Sequence, residues 1–152
     1  MKKNVVVREY TDDDFENLIG LYKNSSAYGG KYDESRDTRE KLLATAEDLC
    51  LFVATLEGAL VGSVMILDNP HSFWLLRFCI DQNSTVDIHN ETAKVLLETT
   101  ERIAQSRGHK SIIVYTSPDN EDLVARYEQL SFAKAGQYSC FWRPVQPKEM
   151  GL

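Results

Sequence analysis

The chain has 152 residues, 43% of them hydrophobic, and a formal net charge of −6, which predicts one ordinary globular domain spanning residues 1–152 with a real core. The acidic balance excludes a nucleic-acid partner, because no basic stripe is available to neutralise phosphates. Lys2 and Lys3 are followed only by the short apolar run Val5–Val7, so neither a secretory leader nor a membrane span is expected and the protein reads as cytoplasmic.

Cys50, Cys79 and Cys140 are odd in number, and each sits in an apolar, strand-like stretch. They read as free buried thiols of a reducing compartment, with no disulfide or metal role. From the N-terminus, NVVVREY (4–10) predicts a strand. Thr11 with Asp14 has the form of a capping box opening a helix whose Phe15, Leu18, Ile19 and Tyr22 share one face. SSAYGGKY (25–32) is a connection broken by Gly29 and Gly30, and a helical pattern resumes over DESRDTREKLLATAEDL (33–49), burying Leu42, Leu43 and Ala46. CLFVATL and ALVGSVMIL, joined only by Glu57-Gly58, predict an antiparallel hairpin, and the turn Asp68-Asn69-Pro70 adds FWLLRFCI as a third strand.

The longest helical pattern follows. It buries Ala93, Leu96, Leu97, Ile103 and Ala104, carries Lys94, Glu98 and Arg102 as an outer ladder, caps on Asn90 or Thr92 and stops at Gly108. SIIVYTS (111–117) has a buried-strand pattern, so Phe73 to Ser117 forms a βαβ unit with parallel pairing. Asn120 caps a short helix to about Leu130, with Leu123, Tyr127 and Leu130 along one side, and FAKAGQYSCFWRPV (132–145) predicts one or two further strands. The order β-α-α-β-β-β-α-β-α-β-β is that of an α/β protein with a mixed sheet, antiparallel in its N-terminal half and parallel at the crossover.

That order, ending in NEDLVARYEQLSF (120–132), resembles the GNAT-type N-acetyltransferase superfamily over nearly the whole chain. The most specific part is similar to the family's Asn-x-x-Ala-x-x-x-Tyr-x-x-x-Gly-Phe helix and turn. Asn120, Tyr127 and Phe132 are in step, while Leu123 replaces the small residue and Ser131 the glycine. The resemblance implies that acetyl-coenzyme A meets the backbone of Phe78, Cys79 and Ile80 at the end of the fourth strand, the side chain of Asn120, and a pyrophosphate loop at the mouth of the long helix. The family's loop reads Gln/Arg-x-x-Gly-x-Gly/Ala. Counting back from Arg107-Gly108 sets Ile88, Glu91 and Ala93 on its marked positions, with His89, Asn90 and Thr92 between them, and only Ala93 matches. Such a loop works by pointing backbone N–H groups at phosphates, with glycine allowing close approach. Glu91 would oppose it by roughly 3 kcal/mol at ~5 Å and an effective dielectric of ~20. The same residues also read as simple helix capping with an acid matched to the helix dipole, leaving backbone amides and Lys94 for a weakened anion site.

The resemblance further implies direct attack of a neutral amine on the thioester, with Tyr127 as general acid. A phenol of reference pKa ~10 can protonate a thiolate whose conjugate acid lies near ~8.5. Core packing is the other role open to Tyr127, and helix capping to Asn120. Where the family often has a glutamate base, the fourth strand has Arg77. Asp81 and Asp68 are either water-relayed bases or turn residues. Cys79 as nucleophile has no triad spacing with His71, His89 or His109, so a buried thiol is the simpler reading.

The acceptor is expected against the first two helices and the hairpin, where Tyr28, Tyr32, Asp33 and Glu34 form either a lip for a cationic small molecule or an exposed loop. Two functions are therefore carried forward: acetyl transfer from acetyl-CoA to a primary amine of a small molecule, and a fold relative that has lost acetyl-CoA binding and serves as a binding or interaction module. The run YSCFW (138–142) would either pair strands in a homodimer or fill the chain's own core.

Overall fold

Side chains alternate along a strand, and in β2 (Leu51–Leu56) this sends Leu51 and Val53 to one side and Phe52 and Ala54 to the other. All four are buried, so the sheet must be covered on both faces. A computed structural model, described for residues 4–24, 32–116, 119–136 and 138–145, shows how. β1 (Val6–Glu9), β2, β3 (Ala59–Asn69) and β4 (Ser72–Ile80) form one antiparallel sheet in that order. α1 (Phe15–Asn24) and α2 (Arg39–Glu47) pack on one face around Leu18, Tyr22, Leu42, Leu51 and Val53; α3 (Val86–Ser106) and α4 (Glu121–Gln129) pack on the other around Phe52, Val64, Phe73, Phe78 and Leu96. Among the described residues no helix is long and apolar enough to cross a membrane.

Local chemistry sets the boundaries. The carboxylate of Asp14 accepts the Thr11 N–H at 2.9 Å and is gripped by the Arg8 fork at 2.7 and 2.8 Å, so the expected capping box opens a 3-10 turn that leads into α1. Glu57 (φ 51°) and Gly58 (φ 84°) are both left-handed, the conformation a two-residue hairpin needs to match strand twist. α2 starts at Arg39, capped by Thr38, and not at Asp33. Asp33–Asp37 fold on themselves instead, with the Asp37 N–H donating to the Asp33 carbonyl at 2.8 Å.

Three helices end alike. After α2, α3 and α4 the residue past the C-cap is left-handed, at Leu49 (φ 57°), Gly108 (φ 81°) and Ser131 (φ 69°). In each case the next residue donates back across the last turn: Cys50 to Thr45, His109 to Ala104 and Phe132 to Tyr127. This is the paired-bond C-cap that glycine favours. Gly108 is the expected stop, while Leu49 and Ser131 adopt the conformation without glycine.

The second half of the sheet is sparser than expected. Of the 111–117 run, residues 111–116 are described and meet β4 in the expected parallel sense, but among the described residues only through the bridge Trp74–Ile113, with the Leu75 and Ile113 amides each donating at 2.9 Å. β4 carries an extra residue immediately after this point, and a bulge bends the strand that bears it. No strand is formed by the described residues of 132–145. Phe141 and Trp142 are 90% and 84% exposed and Cys140 is exposed. The expected terminal strands, the core burial of YSCFW and the burial of Cys140 are thus corrected: strand propensity needs a laddered edge to pair with, and one bridge does not supply it.

Gly62 of β3 lets α3 lie close. A Cβ there would stand 2.7 Å from Thr92 Cγ2, 3.0 Å from the Cys79 carbonyl oxygen and 3.1 Å from Leu96 Cδ1. Gly62→Ala should therefore destabilise the fold by about 1–3 kcal/mol in urea titration, with part recovered in a Thr92→Ser background. Ser131→Gly should act in the opposite direction, adding about 0.5–1 kcal/mol by removing a side chain from left-handed backbone. Its thermal midpoint should rise by ~2–4 °C per kcal/mol for a chain of this size.

Candidate active site

The fourth strand organises the site through one irregularity. Ile66 pairs with Leu75 and Met65 with Arg77, so Leu76 is unmatched on β3. A single inserted residue reverses which face every later side chain takes. Beyond it, Phe78 and Ile80 face the α3/α4 core together with Tyr127, whereas Arg77 and Cys79 face α1 and α2. The sequence contains no trace of this bulge, because FWLLRFCI is a nearly continuous apolar run.

Phe78, Cys79 and Ile80 are each at most 1% exposed. Cys79 thus lies on the opposite face from Tyr127, enclosed among apolar residues of α1, α2 and β2, which is the setting of an inert thiol. Tyr127 is 4% exposed and meets Phe132 edge-on, with ring centroids 5.4 Å apart. Asn120 Oδ1 accepts the Leu123 N–H at 3.2 Å and caps α4. Across the single bridge, Thr116 Oγ1 is buried without a hydrogen-bond partner among the described residues, a polar atom that sequence reasoning passed over.

The mouth of α3 differs from the expectation. Its N-cap is Thr85, whose hydroxyl accepts the Ile88 N–H at 3.3 Å, and its first intrahelical bond runs from His89 to Thr85. Asn90 and Thr92 are not caps. Thr92 Oγ1 donates to the Ile88 carbonyl at 2.6 Å, and Thr92 and Ala93 are buried under Gly62 and the sheet. Glu91 lies six residues past the cap, about 9 Å along the axis, and Lys94 about 13 Å along it. Lys94 is 73% exposed and reaches outward toward Glu98 at 4.0 Å. With the Ile88 donor taken by the Thr85 hydroxyl, the first-turn donors left without an intrahelical carbonyl are those of Val86 and Asp87, and the acid beside them is Asp87. His89 stands between α3 and α4, where burial and then the nearby Arg126 guanidinium hold its pKa below the usual range. An open groove of about 510 Å³ at the start of α4 is lined by Asp119, Asn120, Glu121 and Asp122.

The lip is partly described, and Tyr28 lies outside the described residues. Tyr32 packs beside α1, with the Lys23 ammonium 4.9 Å from its ring centroid. Asp33 is occupied in its own turn: Oδ1 accepts the Ser35 N–H at 2.9 Å and hydroxyl at 2.6 Å, and Oδ2 accepts from Arg36 at 3.1 Å. Of the relay candidates, Asp81 makes a turn, its carboxylate accepting the Asn83 N–H at 3.1 Å. Asp68 pairs across from Phe73, about 23 Å of strand from Ile80. There it takes Arg107 at 2.8 Å and His109 Nε2 at 2.6 Å, fastening the end of α3 to the hairpin. Burial opposes its charge, but the bonds from His109 and Arg107 hold its pKa below the ordinary carboxylate range.

An antiparallel sheet with a helix pair on each face, a bulged fourth strand and a parallel segment joined to it at one point is the architecture of an N-acetyltransferase-type α/β domain. The chain belongs to the acetyltransferase (GNAT) family, whose model matches residues 15–132. Among curated proteins none matches the sequence significantly. Solved structures share the fold. PaiA N-acetyltransferase from Thermoplasma acidophilum in complex with coenzyme A is 22% identical with a TM-score of 0.69, over 84% of this chain and 88% of that one. The aminoglycoside N-acetyltransferase AAC(6')-Iy in complex with CoA is 18% identical, with a TM-score of 0.69 over 95% and 97%. A ribosomal-protein-alanine N-acetyltransferase from Brucella melitensis is 16% identical, with a TM-score of 0.63 over 95% and 100%.

Asp68 gives this site's surroundings an acid limit. A carboxylate whose folded pKa is depressed stabilises the fold above its unfolded value of ~3.9 and loses that contribution as pH falls through the folded value. Asp68→Asn should cost about 1–2 kcal/mol at pH 7. The gap to the unmodified protein should close below about pH 4 in thermal melts.

Proposed function

We propose that the protein transfers an acetyl group from acetyl-CoA to a primary amine of a small molecule in the cytoplasm. The observation that carries this reading is the family match over residues 15–132, with Tyr127 buried on the same face of the sheet as Phe78 and Ile80. Acetyl-CoA would supply an acetyl group activated as a thioester. The backbone at Phe78–Ile80 would align the pantetheine arm. Tyr127 Oη would hold the proton destined for the leaving sulfur, and the α1/α2 side would receive the amine in neutral form. For the diphosphate, the family's loop positions do not fit: Glu91, Thr92 and Ala93 stand inside α3, where their amides belong to the helix. The open donors of Val86 and Asp87 take that place one to two turns earlier.

A second reading, that cofactor binding has been lost and the domain serves as an interaction module, draws support from charge. Asp87 stands in the first turn of α3, and Asp119, Glu121 and Asp122 line the groove at α4. All four carboxylates oppose a phosphate.

Calorimetric titration with acetyl-CoA, followed by an amine panel of spermidine, free amino acids, neamine and an alanine-ended peptide, separates the two. The transferase reading expects saturable binding and turnover of one panel member. Asp87→Asn should tighten binding about tenfold, since one charge pair at ~6 Å in an effective dielectric of ~40 is worth roughly 1.4 kcal/mol. Glu91→Gln should change it by less than about threefold, because that distance exceeds the ~8 Å screening length. Tyr127→Phe should lower kcat about 100-fold while leaving acetyl-CoA affinity within about threefold. Absence of binding in the unmodified protein, gained only in Asp87→Asn, would replace the transferase reading with the second.

A further inference from the structure

The face of β4 opposite Tyr127 carries a buried pair of charges. Arg77 Nη1 lies 3.0 Å from Asp37 Oδ2, with side chains 8% and 2% exposed. The guanidinium lies over the Tyr22 ring, 4.4 Å from its centroid. Burial, and then the proximity of Cys79, push the Tyr22 phenol up, so Arg77 rests on a neutral aromatic face. Asp37 Oδ2 has a second bond, accepting the backbone N–H of Asp33 at 2.8 Å. One carboxylate therefore closes the Asp33–Asp37 turn and ties it to β4.

Net stability does not explain the arrangement. Desolvation offsets most of the attraction in a buried ion pair, and apolar residues of similar volume would hold the same elements equally well. A charge pair differs from apolar packing in what it ties down: Arg77 stands 3.0 Å from Asp37 and over the Tyr22 ring at once, whereas a greasy contact can slide. The position of Arg77 matters too. It directly precedes Phe78, and it reaches the α1/α2 face only because of the bulge at Leu76.

We propose that Arg77 and Asp37 are positioning residues. The pair latches the lip, Tyr32–Asp37, onto the strand whose next three residues lie along the acetyl-CoA arm, so that the acceptor's wall and the donor's strand move as one body. The inference rests on the acetyl-transfer reading of that strand. Since Phe78 and Ile80 point to the other face, loss of the latch falls on the acceptor and spares the cofactor.

The test uses the double variant Asp37→Asn/Arg77→Met, which leaves no lone buried charge and keeps an acceptor for the Asp33 N–H, together with Arg77→Lys. Three readouts are compared: trypsin cleavage after Arg36 with amide exchange over residues 33–37, acetyl-CoA affinity, and steady-state kinetics with the panel amine turned over fastest. The latch predicts cleavage and exchange at least about tenfold faster in the double variant, acetyl-CoA affinity within about threefold, and acceptor KM raised about tenfold or more with kcat within about threefold. Arg77→Lys should fall between, because it keeps the charge and loses the planar group that lies over Tyr22. Unchanged cleavage and exchange would overturn the proposal, as would a drop in kcat at constant KM. If the double variant does not fold, Arg77→Lys is judged by the same readouts. If the unmodified protein acetylates no amine, the transferase reading falls, and cleavage and exchange still decide the latch.

Discussion

Leu76 is one residue too many in β4, and both faces of the strand depend on it. Strict alternation from Phe73 and Leu75 would carry Arg77 into the α3/α4 core. That core is built from aliphatic and aromatic side chains such as Val64, Phe73 and Leu96. A guanidinium there, without a carboxylate, would cost several kcal/mol. The bulge after Leu75 turns Arg77 toward Asp37 and sets Phe78 and Ile80 against the core that holds Tyr127. It also stands where pairing with Ile113 stops. A single local insertion thus reverses side-chain direction, opens the strand's far end and seats the charge.

Its neighbour β3 reaches α3 through Gly62. Because no Cβ intervenes, Thr92 and Leu96 approach β3 closely at Gly62, and the N-terminal half of α3 is anchored by contact. Helix then continues backward from Thr92 to its cap at Thr85. Every residue added at that end moves the open donors by about 1.5 Å along the axis. The charge beside them is that of Asp87. Asp87 suits the helix dipole and opposes a phosphate through the same field.

Much of the architecture was legible because its signals are local. Period-2 and period-3.6 patterns marked β1–β4 and α1–α4, and Glu57-Gly58, Gly108, Thr11 and Asn120 marked their limits. The mouth of α3 was not legible, since Val86–Glu91 is polar on most sides and shows no apolar face until Thr92. Neither was the bulge, because a continuous apolar run fixes no register. The Arg77–Asp37 pair joins positions far apart in sequence, and each alone resembles an ordinary surface charge. The C-terminal run has strand composition, but composition does not provide a neighbouring edge. In the lip, the acids look like a cation trap by count, whereas in space Asp33 and Asp37 are consumed by their own turn.

The most family-like stretch, Asn120 to Phe132, is also the one whose residues have the plainest structural duties. Asn120 caps α4, Ser131 takes the left-handed position that ends it, and the Tyr127–Phe132 ring contact is the apolar clasp that accompanies such an ending. A domain that had lost all chemistry would still need each of these to stop its helix, so the motif argues for fold before it argues for catalysis. The exception is one atom. Phenylalanine at 127 would make the same clasp and end the helix equally well. The Tyr127 hydroxyl is the part of the motif that helix termination does not explain, and it lies on the face of β4 where the strand presents Phe78 and Ile80.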